Sequence, residues 1–139
     1  YPHTQAIKDG KVESDLIHLN FTEFKKVSAA FDDMVEKQPW DICEMAVGTF
    51  FQAIDFGKPM KLLPYVTDGM FHHGSLYYDP AQGTVTPEDL RGAKVAVRAY
   101  TQTTAMWVRG AVSEHFGIKP SEMTFISLLS ETRLICLTR

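Results

Sequence analysis

An α/β fold, with an open and mostly parallel sheet flanked by helices, is the class this sequence predicts. Short apolar runs alternate with amphipathic stretches at helical spacing along most of the chain. The crossovers between those runs have about the length that a parallel βαβ unit requires. The 139 residues also suit one domain with a core of its own.

The elements follow in order. Thr4 to Lys8 predicts a short helix closed by Gly10. Leu16 to Phe21 alternates and predicts a strand. Thr22 suits a cap for a helix starting near Glu23, because Phe24, Val27, Phe31 and Met34 make one apolar face; Pro39 ends it. Asp41 to Met45 predicts a short buried strand. Phe50, Phe51 and Ile54 mark a second helix closed by Gly57, and Lys61 to Val66 predicts another strand. Gly69 to Tyr78 predicts a further strand ending at Asp79-Pro80. Thr86-Pro87-Glu88-Asp89 has the composition of a capping box with proline in the first helical position, so one helical turn ended by Gly92 is expected. Lys94 to Ala99 predicts a strand. Thr101 to Phe116 predicts the longest helix, with Ala105, Val108, Val112 and Phe116 facing inward and Gly117 as its stop. Thr124 to Ser127 begins another strand, and Leu128 to Arg139 shows no clear element pattern.

Composition narrows the function. A formal net charge of −3 argues against a nucleic-acid binder, which usually shows a basic face. It leaves room for a small anion, which needs only a few local basic groups. Cys43 and Cys136 sit in no CxxC pair or Cys/His cluster, so no disulfide framework or metal site is expected. No apolar run approaches the roughly 18 residues that span a bilayer. No leader is visible and a cytoplasmic location is expected; because the chain starts at Tyr1 instead of Met, a periplasmic one is the alternative if a leader preceded it. No GxSxG, HExxH or glycine-rich phosphate loop occurs. Nothing in the composition calls for a bound organic cofactor.

Three clusters fall at the ends of predicted strands, where open α/β sheets hold their ligands. The first is Tyr1, His3 and Thr4. The second is His72, His73, Ser75 and Tyr77, with Glu44 at the end of a neighbouring strand. The third is Arg98, Tyr100, Thr101, Gln102, Thr103 and Thr104. The third carries the clearest physics. First-turn N–H groups of a helix are unpaired and carry partial positive charge. Threonine hydroxyls and a fixed guanidinium beside them suit a carboxylate, sulfonate or phosphate. The plainer reading is that Thr101 only caps the helix and Arg98 pairs with a surface acid. For His72 and His73 the plainer reading is a structural, hydrogen-bonded pair, one facing into the lobe and one out. Glu44, on a strand expected to be buried, needs a partner or a cleft. Trp107 reads as packing, and Arg109 as a surface or inter-lobe ion pair.

Thr86 to Gly92 followed by Lys94-Val95-Ala96-Val97 resembles a segment common to periplasmic-binding-protein type II-like domains. More specifically, Tyr100-Thr101-Gln102-Thr103-Thr104-Ala105-Met106-Trp107-Val108-Arg109-Gly110 is similar to a run of the 4,5-dihydroxyphthalate decarboxylase family. Tyr1-Pro2-His3-Thr4 with Asp9-Gly10-Lys11-Val12, Asp41-Ile42-Cys43-Glu44-Met45-Ala46, and Phe71-His72-His73-Gly74-Ser75-Leu76-Tyr77 resemble other runs of the same family, in order. His72 stands where the family pattern has arginine, and Gly74 where it has serine.

The resemblance implies that residues 1–127 form the first lobe of a two-lobed domain without its first strand, and that residues 128–139 are an atypical truncated tail. It implies non-oxidative decarboxylation of a dihydroxylated aromatic dicarboxylate, with a small aromatic or organic carboxylate as partner. His73 becomes the candidate acid that protonates carbon, Arg98 the holder of the retained carboxylate, and Glu44 a catalytic group that orients ring hydroxyls. His3, Thr4, His72, Ser75, Tyr77, Tyr100, Thr101, Thr103 and Thr104 become substrate-binding candidates. The same fold also serves as the substrate-binding protein of ABC importers for small organic anions, which is the alternative reading. The lobe by itself is expected to be inactive and poorly soluble. Homo-oligomerisation of the full-length protein stays open.

Overall fold

The computed structural model describes residues 2–127 and 135–138, so Tyr1 and most of the 128–139 tail lie outside the described residues. These residues form a mixture of helices and a four-stranded open sheet, in agreement with the α/β class. The strands are β1 (Leu76–Tyr78), β2 (Lys94–Val97), β3 (Thr124–Ser127) and β4 (Ile135–Thr138). Their order across the sheet is β1-β4-β2-β3. β2 runs parallel to β3 and β1 parallel to β4, whereas β4 runs antiparallel to β2. No pattern in the sequence announced β4. It takes the place between β1 and β2 and supplies the ladder bonds both need.

The chain divides into two compact units: Tyr1–Met45 with Leu62–Asp68, and Ala46–Lys61 with Gly69–Arg139. The first holds helix α1 (Pro2–Lys8), a 3₁₀ turn at Val27–Ala30 and helix α2 (Phe31–Glu36). Lys8 reaches Glu23 at 2.8 Å and lies over the Phe21 ring, while Phe24 packs edge-on against Trp40. α2 starts later than the Glu23 expected from periodicity. Lys25 and Lys26 would meet the positive end of a helix beginning there, whereas Asp32 and Asp33 occupy the first turn of the helix that forms.

Three expected strands are absent. Leu16 to Phe21, Asp41 to Met45 and Lys61 to Val66 carry no strand, and Leu16 is 92% exposed. Alternation makes a segment fit for a sheet, but a strand exists only where neighbours pair its backbone. Pro64 removes a donor from the middle of the third run as well.

The second unit contains the sheet and two longer helices, α3 (Val47–Asp55) and α4 (Thr103–Phe116). Its core is Leu90, Val95, Val97, Ala105, Val108, Val112 and Ile118. Thus β2 offers Val95 and Val97 from one face, and α4 covers them with residues spaced by three and four. Phe116 was expected to continue that stripe but is half exposed. The helix stops one residue later: Gly117 takes a left-handed φ of 64° and its N–H bonds to the Ser113 carbonyl. This turn delivers Ile118, not Phe116, into the next core position.

The turn at Thr86 forms as expected. Pro87–Leu90 is one 3₁₀ turn, and the Asp89 carboxylate accepts from the Thr86 N–H at 2.9 Å. A second 3₁₀ turn at Pro120–Glu122 precedes β3. Glu122 joins the two turns through a bond with Arg91, and its other oxygen accepts from the Lys119 N–H. The Lys119 N–H, then Arg91, hold the Glu122 carboxyl below its ordinary range. A depressed carboxyl stabilises the fold above its unfolded-state pKa, and that contribution disappears as pH falls through the folded-state value. The melting temperature of Glu122→Gln should therefore fall below wild type at neutral pH by the small amount typical of a surface ion pair. As pH falls through the lowered folded-state value, the two melting curves should converge. A gap in melting temperature that is constant with pH would rule out this linkage.

Candidate functional site

The loop from the end of β2 to the start of α4 carries the third cluster. β2 ends at Val97 instead of Ala99, and α4 begins at Thr103 instead of Thr101. The intervening residues form a turn in which the Gln102 N–H bonds to the Ala99 carbonyl. Arg98 is exposed immediately after the strand. Gln102, not Thr101, occupies the cap position, without a capping side-chain bond. The helix therefore starts on an uncapped first turn.

Two side chains hold this loop. The Arg109 guanidinium lies 3.7 Å from the Tyr100 ring centre, and its Nη1 donates to the Tyr100 carbonyl at 2.6 Å. Tyr100 in turn packs edge-on against Phe125 of β3. Gln52 of α3 donates to the Thr101 carbonyl at 3.2 Å and to the Gly48 carbonyl at 2.9 Å. Thr103 is used within the protein: its hydroxyl accepts from the Gly48 N–H at 3.1 Å, pairing a first-turn donor of α3 that the helix itself leaves unpaired. Thr104 is half-buried, while Thr101 and Tyr100 are exposed. Arg109, expected in a surface or inter-lobe ion pair, clamps Tyr100 within this unit, and Trp107, expected as packing, is half exposed. Gln52, Gly48 and Arg109 were missed as supports of this loop. The only local signal was the position of Arg109 within the run that starts at Tyr100.

The histidines lie elsewhere. His72 to Ser75 forms a 3₁₀ turn before β1, not the alternating strand expected, and packs against α4. Gly74 and the preceding Gly69 weaken the strand option. His72 is half-buried, and its Nδ1 is buried without a hydrogen-bond partner among the described residues. His73 is exposed and stacks on His115, with ring centres 5.2 Å apart and planes 20° apart. His115 belongs to the last turn of α4. The helical rise puts roughly 18 Å between Thr103 and His115 along the axis. His73 and the Arg98 loop therefore stand at opposite ends of one helix. Ser75 is half-buried, and Tyr77 of β1 is exposed.

The remaining candidates belong to the first unit. Thr4, half-buried, and His3 share α1. Glu44 is half-buried in an irregular segment. Beside it, burial and then the Glu44 charge push the Cys43 thiol above its ordinary range, which keeps it protonated and unreactive near neutral pH. Among the described residues, no group of three or more His, Cys, Asp or Glu side chains is placed to hold a metal ion. No helix of the described residues is long and apolar enough to cross a membrane.

No family model matches the chain, and no solved structure matches it. Two curated proteins do. The chain is 26% identical over 127 residues to the 4,5-dihydroxyphthalate decarboxylase of Comamonas testosteroni, which covers 91% of this chain and 38% of that protein. It is also 26% identical over 127 residues to the 4,5-dihydroxyphthalate decarboxylase of Pseudomonas putida, covering 91% of this chain and 49% of that protein. The chain thus spans half or less of the length of these curated relatives, and it is similar to them at the level of a distant homologue.

Proposed function

We propose that this chain is part of a non-oxidative decarboxylase acting on a dihydroxylated aromatic dicarboxylate, 4,5-dihydroxyphthalate or a close analogue. The observation that carries the reading is the similarity over 127 residues to two proteins of that name. We take residues 1–127 as the first lobe of a periplasmic-binding-protein type II-like domain and residues 128–139 as an atypical end. The reading of an ABC-importer receptor gains nothing from these relatives, both of which are named as decarboxylases.

The chemistry assigns roles. The bond from ring carbon to carboxylate breaks, CO2 leaves, and the electron pair stays on the ring carbon, which a proton then fills. A ring hydroxyl para to the leaving group assists by tautomerising. Exposed Arg98 and the uncapped start of α4, with Thr101 and Thr104, suit the carboxylate that stays. Thr103 supports this end by fixing α3 against α4. Tyr77 orients the hydroxyls, with Tyr100 as a further contact. His73, the donor that the resemblance implies, stands roughly 18 Å along α4 from the Arg98 loop, beyond reach of a ring carbon whose neighbouring carboxylate meets Arg98, so we assign the proton to a group beside that loop instead.

The test incubates the full-length protein with 4,5-dihydroxyphthalate and follows CO2 release together with ligand-induced thermal shift. Turnover is the expected result. A thermal shift without CO2 overturns the decarboxylase reading in favour of a receptor or an enzyme for a related acid. His73→Ala is expected to keep turnover. Loss of turnover in that variant would put the substrate at the His73 end of α4 and overturn the Arg98 site.

A further inference from the structure

We propose that Arg109 is a positioning residue for the site: it fixes the β2–α4 loop so that Arg98 and Thr101 meet a substrate carboxylate. This rests on the decarboxylase reading above. The geometry gives Arg109 two simultaneous contacts with one residue, its guanidinium face on the Tyr100 ring at 3.7 Å and its Nη1 on the Tyr100 carbonyl at 2.6 Å. Only a planar cation satisfies both, since lysine has a point charge and no flat face. Arg109 lines the same small cavity as Leu76, Val95, Val108 and Phe125, and its guanidinium lies 5.7 Å from the Phe125 ring centre, so the clamp borders the core.

The consequence for the loop follows from peptide geometry. In a planar trans peptide the carbonyl and the N–H point in opposite directions. The Tyr100 carbonyl shares its peptide with the Thr101 N–H. Drawing that carbonyl to Arg109 therefore turns the Thr101 N–H away from Arg109. Gln52 holds the next carbonyl, that of Thr101, so two consecutive peptide planes are fixed from opposite helices, α4 and α3. Arg98 is exposed and immediately precedes the turn that the Gln102 N–H closes on the Ala99 carbonyl, so its backbone leads into the clamped segment. An ordered loop meets the anion without first losing conformational freedom, which lowers KM and leaves the bond-breaking step alone.

The experiment compares wild type, Arg109→Met and Arg109→Lys in the full-length protein. Both variants are expected to raise KM for 4,5-dihydroxyphthalate roughly tenfold, the size of a partly desolvated cation–π contact, with kcat changed far less. Arg109→Lys keeps the charge and should fail to rescue. Wild-type KM in both variants overturns the proposal. Hydrogen exchange on the same proteins without substrate separates this failure from that of the decarboxylase reading. Faster exchange of the Tyr100 to Gln102 amides in Arg109→Met, with the Val95 and Val97 amides unchanged, is expected whether or not CO2 is released. Unchanged loop exchange overturns the clamp, whereas absence of CO2 from wild type overturns only the decarboxylase reading.

Discussion

Ile118→Ala is expected to destabilise the protein by about 3–4 kcal/mol, within the range for truncating a fully buried isoleucine. Ile118 is 1% exposed and closes the core made by Val95 and Val97 of β2 and by Ala105, Val108 and Val112 of α4. It sits just beyond the left-handed turn at Gly117, where the backbone has little freedom to move inward and fill the space. The cost therefore includes a cavity as well as lost transfer energy. Ile118→Val, which removes one methylene, should cost about 1 kcal/mol. Phe116→Ala provides the contrast. It deletes a larger side chain, but one that is 48% exposed, so its loss should stay below that of Ile118→Ala. Denaturant unfolding of the three variants checks the order. Equal losses at 116 and 118 would mean that the helix carries its apolar stripe through Phe116 after all.

The same pair of residues shows what the sequence made legible. The stripe Ala105, Val108, Val112 and the stop at Gly117 were readable because they depend on local periodicity and on one glycine. Phe116 was misplaced because the period alone does not say where the last turn stops burying its residues. The capping pair at Thr86 and Asp89 was readable for the same local reason. Leu16 to Phe21 and Lys61 to Val66 were not, since a strand needs partners that no window of sequence contains, and β4 escaped notice from the other side of that rule. The site divides in the same way. Arg98 and the threonines at the start of a long helix were visible by position. Their use was not: Thr103 serves the Gly48 N–H, and Arg109 reaches back across nine residues to Tyr100. His72 and His73 were read as one strand with opposite faces. A 3₁₀ turn produces a similar contrast, with Nδ1 of His72 buried and His73 exposed.

Gly48→Val is the second substitution expected to be severe, with a loss of about 2–3 kcal/mol from overpacking. A Cβ at Gly48 would stand 2.8 Å from Thr103 Oγ1, 3.3 Å from the Thr103 Cα and 3.4 Å from Met106 Cε. The methionine end can yield, but the Thr103 backbone opens α4 and cannot move without moving the loop before it. Glycine is present here because two helix starts meet at this point and the Gly48 N–H must reach the Thr103 hydroxyl. Gly48→Ala should cost less, about 1–2 kcal/mol, because one methyl group needs a smaller shift. Thr103→Ala removes the closest atom and also the acceptor, so it should be destabilising alone, by about 1 kcal/mol. The informative measurement is the double variant Gly48→Ala with Thr103→Ala. Once the hydroxyl is gone the new methyl has lost its nearest obstacle and meets the Thr103 Cα at 3.3 Å and the yielding Met106 Cε at 3.4 Å, so the double variant should be more stable than the sum of the single losses predicts. Strict additivity would show that the alanine methyl is not resisted by the threonine hydroxyl. Coupling would tie the packing of α3 directly to the first residue of α4, so a substitution in the α3 helix would alter the same loop that carries Arg98 and Thr101.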